Sequence, residues 1–184
     1  VIKYGIIADE AFFGYLGRKM PALQKQIPQV VASVVKRSCE IKAEVVAADE
    51  RESDRRRILN YGHTIGHALE ALGGYTSLVH GEAVGIGLVQ AADLACFQGF
   101  CTHKVVEAIR RMVTEAGLSD RMPQATPTKI WKAMLHDKKV SAGQVIGVWP
   151  IRIGEVCMAP LGKKVFDRWV AESRSVSTNV SALS

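Results

Sequence analysis

Apolar residues recur at spacings of three and four along most of the chain, the signature of helices with one buried face. Val30, Val31, Val34 and Val35, then Ile41, Val45 and Val46, predict a helix over about 29–48, although so many valines keep a strand open as the alternative. Residues 1–16 predict helix broken at Gly5 and restarted near Asp9, whose carboxylate suits a helix N-cap. Pro21 and Pro28 punctuate the segment that follows. A helix is expected to run to about Leu72 and to end at Gly73-Gly74, and the next covers about 80–98 with Gly99 as its stop. Further helices are expected over 102–116, ended by Gly117, then up to about Leu135 after a cap at Thr126 or Thr128, and over 161–172. Only 145–150 and 155–158, short β-branched and aromatic runs joined through Arg152-Ile153-Gly154, predict a β-hairpin.

The expected fold class is therefore mainly α: one multi-helix domain over residues 1–172, with one small hairpin and no βαβ unit. The Ser-rich stretch 173–184 has little to bury and is expected to fray. At 184 residues, with 48% apolar and 23% charged positions, the chain suffices for one real core. No apolar run reaches the ~18 residues of a membrane span, which argues against a membrane partner. The net charge of +6 raises nucleic acid as a partner, but apart from Arg55-Arg56-Arg57 the basic residues are scattered and interleaved with acids. A pocket for a small anion accounts for the excess as well, and nucleic acid is not expected. Cys39, Cys96, Cys101 and Cys157 form no CxxC pair, which favours reduced thiols and a cytoplasmic protein. The charged run 49–57 reads mostly as a solvated turn.

The chemistry concentrates in Asn60-Tyr-Gly-His63-Thr-Ile-Gly-His67-Ala-Leu-Glu70, answered by His80-Gly-Glu82. Four residues apart on a helix, His63 and His67 share nearly one face, and His80 opens the next helix. Three imidazoles on two adjacent helices are a candidate metal site, against the plainer reading of hydrogen-bonded core histidines. Thr64 stands where a zinc protease of the His-Glu-x-x-His type has its glutamate, so that class is excluded. Glu82 reads either as a ligand or as an acid favoured in the first turn of a helix. Gly81, Gly85 and Gly87 lower helix propensity and suggest close approach of a ligand or of another backbone.

The segment 59–70, followed by His80-Gly81-Glu82-Ala83-Val84-Gly85, resembles the metal-binding core of the 3-dehydroquinate synthase family. The likeness continues in Val1-Ile2-Lys3-Tyr4-Gly5, in Lys42-Ala43-Glu44-Val45-Val46 with Asp49-Glu50-Arg51-Glu52, and in Asp137-Lys138-Lys139. It implies a lyase that cyclises a sugar-acid phosphate, 3-deoxy-D-arabino-heptulosonate 7-phosphate, to 3-dehydroquinate on the route to aromatic amino acids. It also implies zinc or cobalt, NAD, and a homodimer as the common assembly. By resemblance His63 and His80 match metal ligands, while His67 and Asn60 match catalytic, substrate-contacting groups. An orienting role toward His63 is the alternative for His67. Lys3, Lys42 and Arg56 match cationic substrate contacts, as does one of Lys138 and Lys139.

The sequence resembles only the C-terminal half of that family. The Gly-rich fingerprint of an NAD-binding domain is missing, and the family's third ligand, a glutamate, would precede Val1. The 184-residue chain alone is therefore expected to be inert. Ser53-Asp54-Arg55 replaces the family's frequent Gly-Gly-Leu, so a one-residue slip would substitute Arg55 or Arg57 for Arg56. Related cyclases, such as 2-deoxy-scyllo-inosose synthase, and a non-catalytic helical interaction module are the competing readings. Asn60 and His67 favour dehydroquinate synthase among the cyclases.

Overall fold

A computed structural model describes residues 1–48, 54–74, 78–123, 126–136 and 145–181. Within them the chain forms α1 (Ile2–Ala8), α2 (Glu10–Gln24), α3 (Pro28–Ala47), a 3-10 segment (Asp54–Asn60), α4 (His63–Leu72), α5 (His80–Phe97), α6 (His103–Glu115) and α7 (Pro127–His136). An antiparallel hairpin, β1 (Val145–Arg152) and β2 (Glu155–Leu161), and a last helix, α8 (Lys163–Ser181), complete it. The mainly helical class with one hairpin is the architecture expected from the spacing.

α5 is the central post. Ile86, Leu88, Val89, Ala92, Leu94 and Ala95 are all buried and point around its circumference, as expected of a helix covered on every side. α4, α6 and β1 pack against it, and α7 covers the far side of α4. α6 buries only Val106, Ile109, Met112 and Val113, a single stripe. Aromatic packing of Phe166 against Trp131 and Trp169 fastens α8 to α7, and the Trp169 indole N–H donates to Asp93 on α5 at 2.9 Å. In the hairpin Val145 faces Leu161 and Val148 faces Met158, with an irregularity between Pro150 and Arg152. Its turn contains Gly154 at φ 88°, whose amide donates to the Ile6 carbonyl of α1 at 2.9 Å.

Several boundaries differ from expectation. Gly5 does not break α1: the helix runs through it, because a β-carbon there would lie 2.9 Å from the Phe13 Cα, and only glycine lets α1 and α2 approach so closely. Asp9 caps α2 as expected, accepting from the Phe12 amide at 2.8 Å. Pro21 lies inside α2, in the last turn before Gln24, where one lost backbone hydrogen bond is tolerated. The valine-rich segment is helical and buries Val34, Ser38, Ile41 and Val45, which settles the strand alternative. α8 extends to Ser181, beyond the expected end near Glu172, since adding residues to a formed helix costs little. The acidic residues Asp49, Glu50 and Glu52 fall outside the described residues.

Candidate metal and substrate site

The site is built where α4 and α5 cross. Tyr61 is fully buried and its hydroxyl donates to the Leu88 carbonyl at 2.8 Å, pinning the start of α4 to the middle of α5. Gly62 follows in the left-handed region at φ 76°, a conformation that turns the chain into α4 without a β-carbon penalty. The two helices then touch backbone to backbone. A β-carbon on Gly87 would sit 2.0 Å from the Gly62 carbonyl oxygen, and one on Gly66 would sit 3.2 Å from the Ala83 oxygen. Of the readings open for these glycines, close helix packing holds for Gly87, whereas Gly81 has nothing within 4 Å.

This crossing brings the three histidines together. Ring centroids are 5.5 Å apart for His63 and His67, 5.6 Å for His63 and His80, and 5.8 Å for His67 and His80. His63 Nδ1 lies 3.0 Å from the Tyr61 carbonyl, so the proton sits on Nδ1 and Nε2 carries the lone pair. The Lys3 ammonium lies 3.3 Å from that Nε2 and donates to the Leu59 carbonyl at 2.8 Å. Burial pushes the His63 imidazole down to about 4; the Tyr61 carbonyl opposes this, while Lys3, His67 and His80 add to it. His63 is thus neutral at pH 7 and able to ligate. Lys3 is itself pushed down to about 8, first by burial and then by the charge of Lys42.

One contributor was not singled out from sequence. The Glu70 carboxylate lies 3.1 and 3.2 Å from His80 Nδ1, and its side chain is only 12% exposed against 58% for His80. Donor atoms of His67, Glu70 and His80 lie within 4.8 Å of one another. The signal was present, since 63, 67 and 70 follow the i, i+4, i+7 rule for one helix face. Glu82 instead accepts from the Val79 amide at 3.0 Å, as a first-turn acid satisfying the helix start.

The remaining candidates are distributed more widely. Lys42 is exposed on α3, near enough to Lys3 for its charge to be felt. Arg56 is exposed on the 3-10 segment, and Asn60 ends that segment at the border of a narrow cleft shared with Thr64, Met134 and Trp149. Lys138 and Lys139 lie outside the described residues. His63 Nδ1 faces the Tyr61 carbonyl and Nε2 faces Lys3, while the His67 ring lies edge-on to it with centroids 5.5 Å apart. Imidazoles beside a carboxylate form a donor set suited to zinc or cobalt.

Residues 1–140 match the family model described as 3-dehydroquinate synthase C-terminal. The chain belongs to that family. It is 46% identical over 157 residues to the 3-dehydroquinate synthase of Thermodesulfovibrio yellowstonii, covering 85% of this chain and 44% of the relative. The 3-dehydroquinate synthase of Rhodopirellula baltica is 46% identical over 159 residues, covering 86% of this chain and 42% of that protein. The chain therefore spans under half the length of these dehydroquinate synthases. In fold it resembles 2-epi-5-epi-valiolone synthase from Streptomyces hygroscopicus, solved with NAD+ and Zn2+ bound (TM-score 0.79, 21% identity, 93% of this chain and 48% of that one). A 2-deoxy-scyllo-inosose synthase complexed with carbaglucose-6-phosphate, NAD+ and Co2+ superposes with TM-score 0.64 at 24% identity, covering 80% of this chain and 41% of that one. Among the described residues, no helix of this dehydroquinate synthase domain is long and apolar enough to cross a membrane.

Proposed function

We propose that residues 1–172 form the metal- and substrate-binding domain of a 3-dehydroquinate synthase, which with NAD converts 3-deoxy-D-arabino-heptulosonate 7-phosphate to 3-dehydroquinate and phosphate. The observation that carries this reading is the convergence of three imidazoles beside a half-buried lysine, in a chain 46% identical to curated dehydroquinate synthases. His63 and His80 would hold a divalent ion, zinc or cobalt, through ring nitrogens. When bound, such an ion acidifies a coordinated alcohol and polarises the carbonyl that replaces it.

The other groups belong to the substrate. Lys3 and Lys42 present cationic charge from α1 and α3, and Arg56 from the 3-10 segment, toward the substrate's phosphate and carboxylate; by resemblance one of Lys138 and Lys139 joins them. Asn60 orients a substrate hydroxyl, and a ring nitrogen of His67 accepts and returns a proton. Hydride transfer would belong to NAD, which the family resemblance assigns mainly to an N-terminal α/β domain. A homodimer in the cytoplasm belongs to the same reading, in keeping with four cysteines that are all free.

The deciding assay supplies the full-length polypeptide with NAD, zinc and the heptulosonate phosphate, and follows phosphate and 3-dehydroquinate. Turnover that a chelator stops and zinc restores is expected, whereas glucose 6-phosphate should give none. Cyclisation of glucose 6-phosphate instead would move the protein to the inosose synthases, and no turnover of either would favour a non-catalytic module.

Lys3 sets a pH limit. Its ammonium is charged at pH 7 and loses its proton as the pH rises through about 8, so anion binding should weaken on the alkaline side. Sulfate, whose charge is constant over this range, is a suitable titrant. Its affinity should fall about 10–100-fold between pH 7 and 10, the worth of one charge-assisted hydrogen bond. In Lys3→Met binding should be weak throughout and this alkaline limb should vanish; an unchanged limb would remove Lys3 from the anion site.

A further inference from the structure

We propose that Glu70 is the positioning residue that fixes His80 for metal binding, an inference that rests on the metal-site reading above. The two outer histidines are oriented in the same way by different means. His63 gives its Nδ1 proton to a backbone acceptor, the Tyr61 carbonyl at 3.0 Å. His80 faces a side-chain acceptor, the Glu70 carboxylate, whose two oxygens lie 3.1 and 3.2 Å from Nδ1. In both rings the protonated Nδ1 leaves Nε2 as the ligating lone pair.

His80 needs such support more than His63 does. It is the first residue of α5, and its side chain is 58% exposed. Glu82, two residues further on, accepts from the Val79 amide at 3.0 Å and is committed there. Glu70 projects from the last half of α4 with its side chain 12% exposed, so the carboxylate is itself restrained. Fixing one ring against one carboxylate reduces the rotamer freedom lost on metal binding.

The competing arrangement has Glu70 as a direct ligand with His67 and His80, since their donor atoms lie within 4.8 Å. Glutamine separates the two roles. A Glu70→Gln amide oxygen still accepts from Nδ1–H, but a neutral carboxamide is a poor zinc ligand. The experiment measures zinc affinity of the full-length protein by chelator competition, with circular dichroism confirming the fold of each variant. Glu70→Ala should weaken zinc about 10–100-fold, the usual effect of losing a group that orients a ligand. Glu70→Gln should recover most of that loss. Glu70→Met provides a second apolar variant if the alanine protein does not fold. Unchanged zinc affinity in the folded apolar variants would overturn the role of Glu70 while leaving the metal site intact. A Glu70→Gln defect equal to that of alanine would make Glu70 a ligand instead. A wild-type protein that binds no zinc would overturn the metal-site reading and this inference with it.

Discussion

Gly87→Ala should destabilise the protein by ~3 kcal/mol or more, at or beyond the upper end of what overpacking a core usually costs. The added methyl would meet the Gly62 carbonyl oxygen at 2.0 Å, and neither atom is the movable end of a side chain. Relief requires α4 and α5 to separate along the crossing that also carries Gly66 against Ala83. That crossing spaces the histidines, so zinc affinity should fall together with stability. Urea unfolding read by circular dichroism checks the first part and chelator competition the second. Gly81→Ala, with no atom within 4 Å, is the matched control and should be neutral or slightly stabilising. A Gly87→Ala protein as stable as wild type would mean that α4 and α5 do not touch in this way.

His63→Ala and His80→Ala should each remove measurable zinc binding and, with it, turnover of the full-length enzyme. Structural zinc sites bind with ~10–16 kcal/mol shared among four ligands, or ~3 kcal/mol for each. At about 1.4 kcal/mol per factor of ten, losing one ligand lowers affinity more than a hundredfold. His67→Ala is the informative contrast. If His67 works on the substrate, its alanine variant keeps its zinc and loses kcat; if it ligates, zinc leaves as in the other two. Retention of full zinc affinity by both His63→Ala and His80→Ala would defeat the assignment of these residues.

The helices and their stops were legible because they rest on local chemistry. Gly99 and Gly117 take up the positive φ of helix ends, and Asp9 caps where its residue type predicts. What failed was the reading of Gly5, which depended on how two helices meet. Gly5 has the local propensity of a breaker, yet α1 continues through it because Phe13 of α2 packs against its missing side chain. The glycines of α5 announced a close approach, but only the crossing shows that the neighbour of Gly87 is the backbone of Gly62. At the site, the histidine spacing brought His63 and His67 to one face and put His80 at the head of the next helix, 5.6 Å from His63 between ring centroids, and resemblance pointed to Lys3, which lies beside His63. Glu70 stood on that same face and was passed over, because its partner lies across the loop on another helix. Lys42, Arg56 and Asn60 matched family blocks, but the strength of their engagement with an anion is a matter of distance, which sequence order does not encode.

The hydrogen bond from the hairpin turn to α1 has a genetic consequence. α1 has seven residues, fewer than the ~12–15 that an isolated helix needs to persist in water. Lys3 therefore owes its place partly to the amide of Gly154, which closes the carbonyl of Ile6. Any other residue at 154 would be strained at φ 88° and would bring a β-carbon to 3.0 Å from the Glu10 amide nitrogen. An allele altering the codon for Gly154 would thus present as a defect at Lys3, although the lesion lies far along the gene from the lysine it displaces.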